Sequence, residues 1–460
     1  MGDRLPCKPT GETFASVVSD GAKCFAISAM QAHCKSRGEE LHISDADVVG
    51  GFLHIPLNAP VPMFLRLPRN LPHELAGCLL EIHHAVYGLR ESNRLFNLEM
   101  TRVLTQDAGF CRSVDSQQFI RCDPQDPGLK CIVNVTVDDL LILTNEVSLR
   151  QRVLDALQAR FGELTVNLVT SVHTGVEFTR SSSGAVSLSQ NKAIARAASV
   201  VGVSHLPPVA VPAPPDFFAV DFVGDEALPV SSEVYSSLTG KLVHFLKTRH
   251  EIRLLISHLC SFNTSPSEGH YRRAIHVLRY LASTPEVCCV FDSDSVELVV
   301  YSDAAFNVFR GGFSSTANIF CVGATNAPFA VNARAQEDLA TCPATAEYYA
   351  AGEAAKALVF YRRLSSSLGW MPRAPTRFFV DSKTTVRLAT APDVLPKMRH
   401  VEHRHHYIRF LHSKRALSLE YVPSQLMRAN VLTKILPRMQ YLRERDVLMN
   451  AVSAVSAVSA

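Results

Sequence analysis

The sequence carries little charge for its length. Asp, Glu, Lys and Arg make up 19% of its 460 residues, whereas about 25% is usual in soluble globular proteins. The net charge is only +3, so the composition shows none of the overall basic character that marks many nucleic-acid-binding domains. Any basic groove must be local, and composition alone does not indicate a function.

Long apolar runs and paired cysteines are also missing. No stretch approaches the ~18 apolar residues that a membrane span needs. The first residues, Met1 to Arg4, lead into polar residues rather than into the apolar segment of a signal peptide. The twelve cysteines are scattered without Cys-x-x-Cys spacing, which favours reduced thiols in an intracellular protein. We therefore expect a soluble protein without a membrane partner.

The rest of the composition is typical of a multidomain globular chain. Hydrophobic residues make up 47% of the sequence, which is enough for several cores, and the length predicts two or three domains. Five prolines crowd together between residues 207 and 215, which indicates that the segment 206–229 is a linker or an extended segment. Residues 451–460 repeat Ala-Val-Ser and predict a disordered tail.

Local patterns predict the secondary structure around the motifs. Apolar spacing typical of helices occurs in four regions, whereas the proline-rich residues 56–72 predict extended backbone and loop. The predicted helical regions are residues 22–35, 79–104, 146–160 and 233–283. A β-rich block that alternates with helices is predicted from residue 296 to about residue 445.

Two adjacent acids, Asp138 and Asp139, lie between the β-rich runs 131–137 and 140–143. This pattern predicts a hairpin with the two carboxylates at its tip. Neighbouring carboxylates repel each other, and a divalent cation with a preference for oxygen ligands, such as Mg²⁺, removes that conflict. Two-metal nucleotidyl transfer requires such a pair plus a third carboxylate. An ordinary Asp-Asp turn is the alternative.

A second set of acids follows in the C-terminal half. Asp303 and Asp381 come at the ends of predicted strands, and Glu347 lies in a helix-forming segment. Three carboxylates on two strand ends and one helix can converge on a pair of Mg²⁺ ions, which suits hydrolysis of a phosphodiester by an activated water. Each acid taken alone is equally typical of a strand-end turn.

Many separate segments resemble, in the same order, the reverse transcriptase and RNase H parts of copia-type retrotransposon polyproteins. In the first part, residues 47–57 are similar to the family's D-V-K-T-A-F-L-N-G-x-L and residues 135–142 to its Y-V-D-D box. The matching segments are residues 12–18, 47–57, 85–94, 135–142, 175–178, 188–190, 235–240, 277–281, 301–305, 344–351, 377–381, 399–409 and 420–434.

The resemblance implies a fold and a domain order. We expect an α+β and α/β multidomain chain: a right-hand polymerase palm and thumb with incomplete fingers, followed by an RNase H-like mixed sheet with flanking helices. The implied domains are a palm with part of the fingers and the start of the thumb (residues 1–205), a linker and helical thumb or connection region (206–290), an RNase H-like domain (291–445) and a tail (446–460).

The resemblance also assigns roles to residues. It implies that Asp47 joins Asp138 and Asp139 as the metal-binding acids of the polymerase, and that Asp303, Glu347 and Asp381 form the metal-binding RNase H site. The implied metal is Mg²⁺, with Mn²⁺ as the alternative. The residues implied or proposed to contact nucleic acid are Tyr87, Gly88, Arg90, Arg94 and Arg404.

Several positions depart from the family pattern. Thr136 replaces the tyrosine of the Y-V-D-D box, and Asn430 replaces the aspartate expected as a fourth RNase H acid, which predicts weaker metal binding. The strand that precedes residues 12–18 in the family, which supplies fingers residues that hold the incoming nucleotide, is not in the sequence.

These departures leave three hypotheses open. The first is an active reverse transcriptase and RNase H that uses an RNA template, a DNA primer or RNA/DNA hybrid, and deoxynucleotides. The second is a catalytically impaired remnant that keeps the folds and at most binds nucleic acid, and the third is an interaction protein recruited by the host. The resemblance implies a cytoplasmic location in virus-like particles, with the nucleus as an alternative, and does not fix the oligomeric state.

A run of histidines, His400, His403, His405 and His406, raises the question of a zinc site. No cysteine pair or Glu-x-x-His-like context accompanies it. A basic helix face that includes Arg404 and contacts an RNA/DNA hybrid is one alternative, and an ordinary solvated face is the other.

Overall fold

A computed structural model of the protein describes residues 16–57, 62–70, 72, 75–218, 231–323, 326–391 and 401–450. The helices are α1 (Asp20–Arg37), α2 (Ser92–Arg102), α3 (Val147–Phe161), α4 (Asn191–Val201), α5 (Ser232–Phe245), α6 (Arg253–Cys260), α7 (Glu268–Ser283), α8 (Pro343–Ser367), α9 (Lys383–Thr390), α10 (Tyr407–Ser413) and α11 (Arg438–Met449).

The strands are β1 (His42–Val48), β2 (Phe64–Arg66), β3 (Leu79–Glu81), β4 (Cys111–Arg112), β5 (Gln118–Cys122), β6 (Lys130–Thr136), β7 (Asp139–Thr144), β8 (Leu164–Asn167), β9 (Val172–His173), β10 (Val176–Arg180), β11 (Val186–Ser189), β12 (Cys289–Phe291), β13 (Leu298–Ala305), β14 (Ser315–Val322), β15 (Ala330–Ala335), β16 (Thr376–Val380) and β17 (Leu417–Tyr421).

The chain divides into two compact units, each built from two segments. The first contains Met1–Ser19 and Leu41–Thr170, and the second contains Asp20–Glu40 and Ser171–Ala460. The domain boundaries at residues 205 and 290 that the resemblance implies stay a prediction.

The first unit is built on a six-stranded antiparallel sheet in the order β4-β5-β6-β7-β1-β8. Helix α3 covers it with Leu149, Val153, Leu157 and Phe161, which recur every fourth residue and are all buried in the core. Burial of each such side chain is worth about 1.5–3 kcal/mol. The predicted hairpin is confirmed as β6 and β7, and the predicted helix at residues 146–160 is confirmed as α3.

The helix predicted for residues 79–104 is wrong in its first half. Leu79 to Glu81 form β3, which pairs with β2 inside the proline-rich segment that was predicted to be only extended and loop. Helix α2 begins only at Ser92. Gly88 has a φ of 95°, a conformation that a helix excludes.

The second unit contains two sheets. The smaller has the order β12-β11-β10-β9, and the larger is a five-stranded mixed sheet in the order β15-β14-β13-β16-β17. Strands β13, β14 and β15 are antiparallel, whereas β13, β16 and β17 are parallel. Helix α8 packs on β13 and β14, and α9 and α10 pack against α8. The prediction of a mixed sheet with flanking helices is confirmed, and the helical region predicted at residues 233–283 consists of α5, α6 and α7.

Helix α1 confirms the helix predicted at residues 22–35, but it belongs to the second unit. Phe25 is fully buried and its ring meets the ring of Phe329 edge-on at 5.2 Å between centroids. Trp370 Nε1 donates to His33 Nδ1 (3.3 Å), and Asn326 Nδ2 donates to Ser28 Oγ (3.2 Å). These partners of α1 lie about 300 residues or more further along the chain.

A buried ion pair also stabilises the second unit. Arg249 Nε lies 2.7 Å from Glu251 Oε1, and both side chains are almost fully buried. The guanidinium donates to Thr284 Oγ1 (2.7 Å), and Tyr280 donates its hydroxyl to Glu251 Oε1 (3.2 Å). The hydroxyl of Tyr441 on α11 donates to that of Tyr280 (3.1 Å). Such a pair is tolerated in a core because hydrogen bonds satisfy most of its polar atoms.

Among the helices that the structure describes, none is both long enough and apolar enough to cross a membrane.

Candidate active sites

The first acidic group lies at one end of the six-stranded sheet. Strands β6 and β7 are joined by the two-residue turn Val137-Asp138, and Asp139 opens β7. Asp139 pairs directly with Asp47 on β1. Burial raises the pKa of Asp47 above its ordinary value, and the nearby carboxylates of Asp138 and Asp139 raise it further. The structure thus brings the three predicted polymerase acids together.

The turn that carries Asp138 has an unusual backbone. Val137 has a φ of 62°, which a β-branched residue rarely adopts. Its side chain packs against the core of the first unit, which helps to hold it there. Strained residues of this kind cluster at functional sites because the surrounding structure fixes them.

The predicted nucleic-acid contacts of the first unit lie beside this turn and near the start of α2. Tyr87 donates its hydroxyl to Asp138 Oδ2 (3.2 Å), while its ring meets that of Phe52 at 4.5 Å. The Tyr87 side chain remains 63% exposed. Gly88 is the next residue in the chain and lies with Tyr87 in a separate turn. Arg90 precedes α2, and Arg94 lies in its first turn.

The second acidic group lies near the carboxyl ends of two neighbouring parallel strands. Asp303 is in β13, and Asp381 directly follows β16; Asp303 is inside its strand rather than at its end, because pairing with β14 continues to Ala305. Glu347 is in the second turn of α8, which packs on β13. One carboxylate oxygen from each of the three acids lies within 4.8 Å of the others.

Burial dominates the electrostatics of this group. Asp303 is only 1% exposed, and burial together with the charge of Asp381 raises its pKa to about 7. Burial, with Asp303 and Asp381 nearby, raises the pKa of Glu347 well above its ordinary value. Oε2 of Glu347 is buried without a hydrogen-bond partner. A carboxylate cluster of this kind holds protons or a cation at neutral pH.

Two hydroxyls that the sequence reasoning missed hold these acids. Thr433 donates to Asp303 Oδ2 (2.6 Å), and Ser424 donates its hydroxyl to Asp381. Asn430 donates from Nδ2 to the backbone oxygen of Ser424 (2.5 Å), the residue whose hydroxyl donates to Asp381. The Oδ1 atom of Asn430 is buried without a hydrogen-bond partner. The only sequence signal for the two hydroxyls was that they flank Asn430 in the closing motif.

The second group fits a divalent cation. Within the described parts of the chain, it is the one set of three or more His, Cys, Asp or Glu residues whose possible ligand atoms all lie within 4.8 Å of one another. All its ligand atoms are carboxylate oxygens, which suit Mg²⁺ or Mn²⁺. The unpaired Oε2 of Glu347 would gain a partner if a cation were bound.

The histidine run forms polar contacts instead of a metal cluster in the part of the chain that is described. His405 Nε2 lies 2.8 Å from Asp338 Oδ2, and Arg404 pairs with the same carboxylate and with Glu402 (3.0 Å). His406 Nδ1 lies 2.9 Å from the hydroxyl of Tyr348. Burial lowers the pKa of both His405 and His406. His400 lies outside the described residues.

Comparison with known proteins shows which proteins the chain is similar to. Residues 8–215 match the family model described as reverse transcriptase (RNA-dependent DNA polymerase). The Pol polyprotein from transposon RE1 of Arabidopsis thaliana is 26% identical over 400 residues, covering 86% of this chain and 26% of the relative. A putative Ty5-1 transposon protein of Saccharomyces cerevisiae is 27% identical over 315 residues, covering 67% of this chain and 98% of that protein. The chain thus spans about a quarter of the RE1 polyprotein.

Solved structures are similar to parts of the chain at low identity. LC11-RNase H1 in complex with an RNA/DNA hybrid is 17% identical, with a TM-score of 0.23, and covers 30% of this chain and 94% of its own. The foamy viral protease-reverse transcriptase in complex with double-stranded DNA is 14% identical, with a TM-score of 0.21, and covers 86% of this chain and 61% of its own. The sequence matches confirm the predicted resemblance: residues 8–215 match a reverse transcriptase model, and most of the chain is similar in sequence to the Pol polyproteins of plant retrotransposons.

Proposed function

We propose that the second unit is a divalent-metal-dependent ribonuclease H that cleaves the RNA strand of RNA/DNA hybrids. The observation that carries this proposal is the convergence of Asp303, Glu347 and Asp381 within 4.8 Å. Three carboxylates in one largely buried cluster are unfavourable in isolation, and their convergence is what binding of a catalytic cation requires.

Each residue has a definable part in this chemistry. Asp303, Glu347 and Asp381 would hold Mg²⁺, or alternatively Mn²⁺, which would supply an activated water and neutralise charge on the phosphate. Thr433 and Ser424 fix the orientation of Asp303 and Asp381 by donating hydrogen bonds to them. Because Asp303 is buried, the site excludes most competing water from that carboxylate.

The first unit supports a second function, RNA-directed DNA polymerisation with an RNA template, a DNA primer and deoxynucleotides. The observation in its favour is the direct pairing of Asp47 with Asp139 beside the turn that carries Asp138. The hydroxyl of Tyr87 fixes the carboxylate of Asp138 on the exposed side of the site. In a retrotransposon, both activities would act in the cytoplasm on nucleic acid inside a particle.

The same residues define the alternative, an impaired remnant. Asn430 brings a neutral amide to the neighbourhood where a fourth acid is expected, which weakens the attraction for a second cation. Thr136, the residue before the Val137-Asp138 turn, offers no aromatic face.

Hybrid cleavage and primer extension by the purified chain in Mg²⁺ test both functions. Asp303→Asn should reduce cleavage of a labelled RNA strand in a hybrid by roughly 100-fold or more, since loss of even an indirect metal contact typically costs 10–100-fold. Asp138→Asn should abolish primer extension alone. Asp294→Asn, an exposed acid of the second unit, is the matched control and should leave both activities unchanged.

The outcomes separate the hypotheses. Cleavage that survives Asp303→Asn would refute the assignment of the hydrolytic site. A folded wild-type chain that neither cleaves nor extends would establish the remnant.

A further inference from the structure

A pocket in the second unit, apart from the three acids, has no role in the proposed function. It has a volume of about 460 Å³, within the range of small-molecule sites. Five of its lining side chains are aromatic or imidazole rings and another is a buried amide; the lining includes Phe218, His258, Phe262, Phe309, Phe313 and Gln336. We call it the aromatic pocket.

The rings of the aromatic pocket form a continuous surface. His258 stacks on Phe309 at 5.5 Å and 24° between planes. Phe218 meets both edge-on, at 5.1 Å from each, and Phe262 meets His258 edge-on at 5.1 Å. Phe218, His258, Phe262 and Phe309 are half-buried, so part of each ring stays open to a further flat, apolar group, which is the arrangement that favours stacking.

The polar group that lines the aromatic pocket is incompletely paired. Gln336 is 3% exposed, and its Nε2 donates to Thr316 Oγ1 (3.0 Å) and to the backbone oxygen of Ala346 (2.8 Å). These two acceptors fix the orientation of the amide and leave Oε1 buried without a partner. A buried carbonyl oxygen is costly unless it accepts a hydrogen bond. Because Gln336 lines the aromatic pocket, we infer that its Oε1 is the acceptor for a ligand that carries an N–H group.

The aromatic pocket adjoins the hydrolytic site through the partners of Gln336. Ala346 immediately precedes Glu347 in α8. Thr316 on β14 is paired with Ala304, the residue after Asp303 on β13. The amide of Gln336 is thus bonded to the immediate neighbourhood of two of the three acids.

The charge at the pocket favours a neutral ring over a phosphate. Arg334 is the cation in its lining, and it is already paired with Glu337 (3.0 Å) and Glu353 (3.2 Å). A phosphate group would have to compete with both carboxylates. A flat ring with an N–H edge would bind without displacing either carboxylate from Arg334.

We propose that the aromatic pocket binds a single unstacked nucleobase from the nucleic-acid strand held at Asp303, Glu347 and Asp381. The base would stack on the rings around Phe309 and donate an N–H group to Gln336 Oε1, as single-stranded bases do on aromatic and amide side chains. The choice of nucleic acid as the ligand rests on the proposed hydrolytic function.

Photo-cross-linking of the full chain tests this proposal without requiring catalysis. The probe is a 12-nucleotide single-stranded RNA that carries 5-iodouracil, irradiated with the protein in EDTA so that no cleavage occurs. Peptide mass spectrometry should find adducts on peptides that contain His258, Phe262, Phe309 or Phe313. Cross-links confined to other peptides would refute the pocket as a base site.

Paired variants then measure the contribution of stacking. Phe309→Ala should weaken binding of the same RNA about 5- to 150-fold, the range for loss of one base-stacking contact. Phe306→Ala removes a 40% exposed ring from the same loop outside the pocket lining. This control variant should bind the RNA as tightly as wild type. A 12-nucleotide strand that lacks the base at every position should bind wild type and Phe309→Ala equally. Equal binding of the normal probe to wild type and Phe309→Ala would overturn the proposal.

Asp303→Asn separates this inference from the proposed function. The variant should cross-link like wild type in EDTA while losing hybrid cleavage. If wild type cleaves hybrids but gives no adduct at the aromatic pocket, the pocket proposal fails and the hydrolytic one stands. If adducts form at the pocket but Asp303→Asn leaves hybrid cleavage unchanged, the hydrolytic assignment fails and the base site stands.

Discussion

Replacing Asp303 by Asn should stabilise the second unit at neutral pH when no divalent cation is present. The folded protein raises the pKa of Asp303 from 3.8 to about 7, mainly through burial. Between these two values, the folded chain keeps a proton that the unfolded chain has released. The free energy of unfolding therefore falls as pH rises through this window, and the loss is complete above pH 7.

The size of the effect follows from the same values. At about 1.4 kcal/mol for each tenfold change in proton affinity, the rise from 3.8 to about 7 corresponds to a cost of about 4 kcal/mol. An asparagine keeps an oxygen that can accept the hydrogen bond from Thr433 but carries no charge. The free energy of unfolding of Asp303→Asn should therefore exceed that of wild type by about 4 kcal/mol above pH 7 and by about 2 kcal/mol at pH 5. Below pH 3.8 the two should be equal.

The chain provides its own probe for this measurement. Trp370 is its single tryptophan and is buried in the second unit, so its fluorescence during urea denaturation reports on that unit. Asp294→Asn is the control for removal of an exposed charge. Saturating Mg²⁺ should narrow the difference by stabilising the wild type alone. A difference in stability between Asp303→Asn and wild type that is the same at pH 5 and pH 8 would refute the reasoning.

Three further predictions address other parts of the molecule. Asn430→Asp adds a charge beside the hydrolytic acids and should tighten Mg²⁺ binding about 10-fold by calorimetry; unchanged affinity would exclude Asn430 from the cation's surroundings. Glu251→Ala leaves the buried Arg249 unpaired and should cost about 3–5 kcal/mol in the urea titration, and a cost below 1 kcal/mol would contradict the burial of the pair. Tyr87→Phe keeps the ring but loses the hydrogen bond to Asp138, so primer extension should fall while stability changes by less than about 0.5 kcal/mol; unchanged extension would remove Tyr87 from the site.

Local sequence patterns predicted the elements that carry the acids. The β-rich runs on both sides of Asp138 and Asp139 form the expected hairpin because each is rich in β-branched and aliphatic residues that the core buries. The strand before Asp381 and the helix around Glu347 follow from equally local signals. The apolar periodicity and the residue composition of a segment were therefore sufficient to predict each element that supplies an acid.

Local patterns failed where pairing depends on distant segments. Leu79 and Leu80 begin a segment that was predicted to be helical, but pairing with Phe64 to Arg66 makes them a strand. A short two-stranded ribbon of this kind has no periodic signal of its own. Tertiary pairing overrides a weak helical preference in such a segment.

The support of the hydrolytic site could not be predicted for a similar reason. Thr433 is 130 residues from Asp303 along the chain, and Ser424 is 43 residues from Asp381. Only the parallel arrangement of β13, β16 and β17 brings these hydroxyls to the acids. A motif shows that such residues recur together, but it does not show which side chain donates to which carboxylate.

The position of helix α1 has a consequence for synthesis of the chain. The hydrogen bond between Trp370 and His33 of α1 can form only after Trp370, 337 residues later, has been synthesised. At about 5–20 residues per second on the ribosome, roughly 20–70 seconds pass between the two. During that interval, Phe25 lacks the rings of Phe329 and Trp370, whereas the ion pair between Asp20 and Lys247 can form earlier. The aromatic packing around Phe25 is therefore completed only when the last third of the chain has emerged.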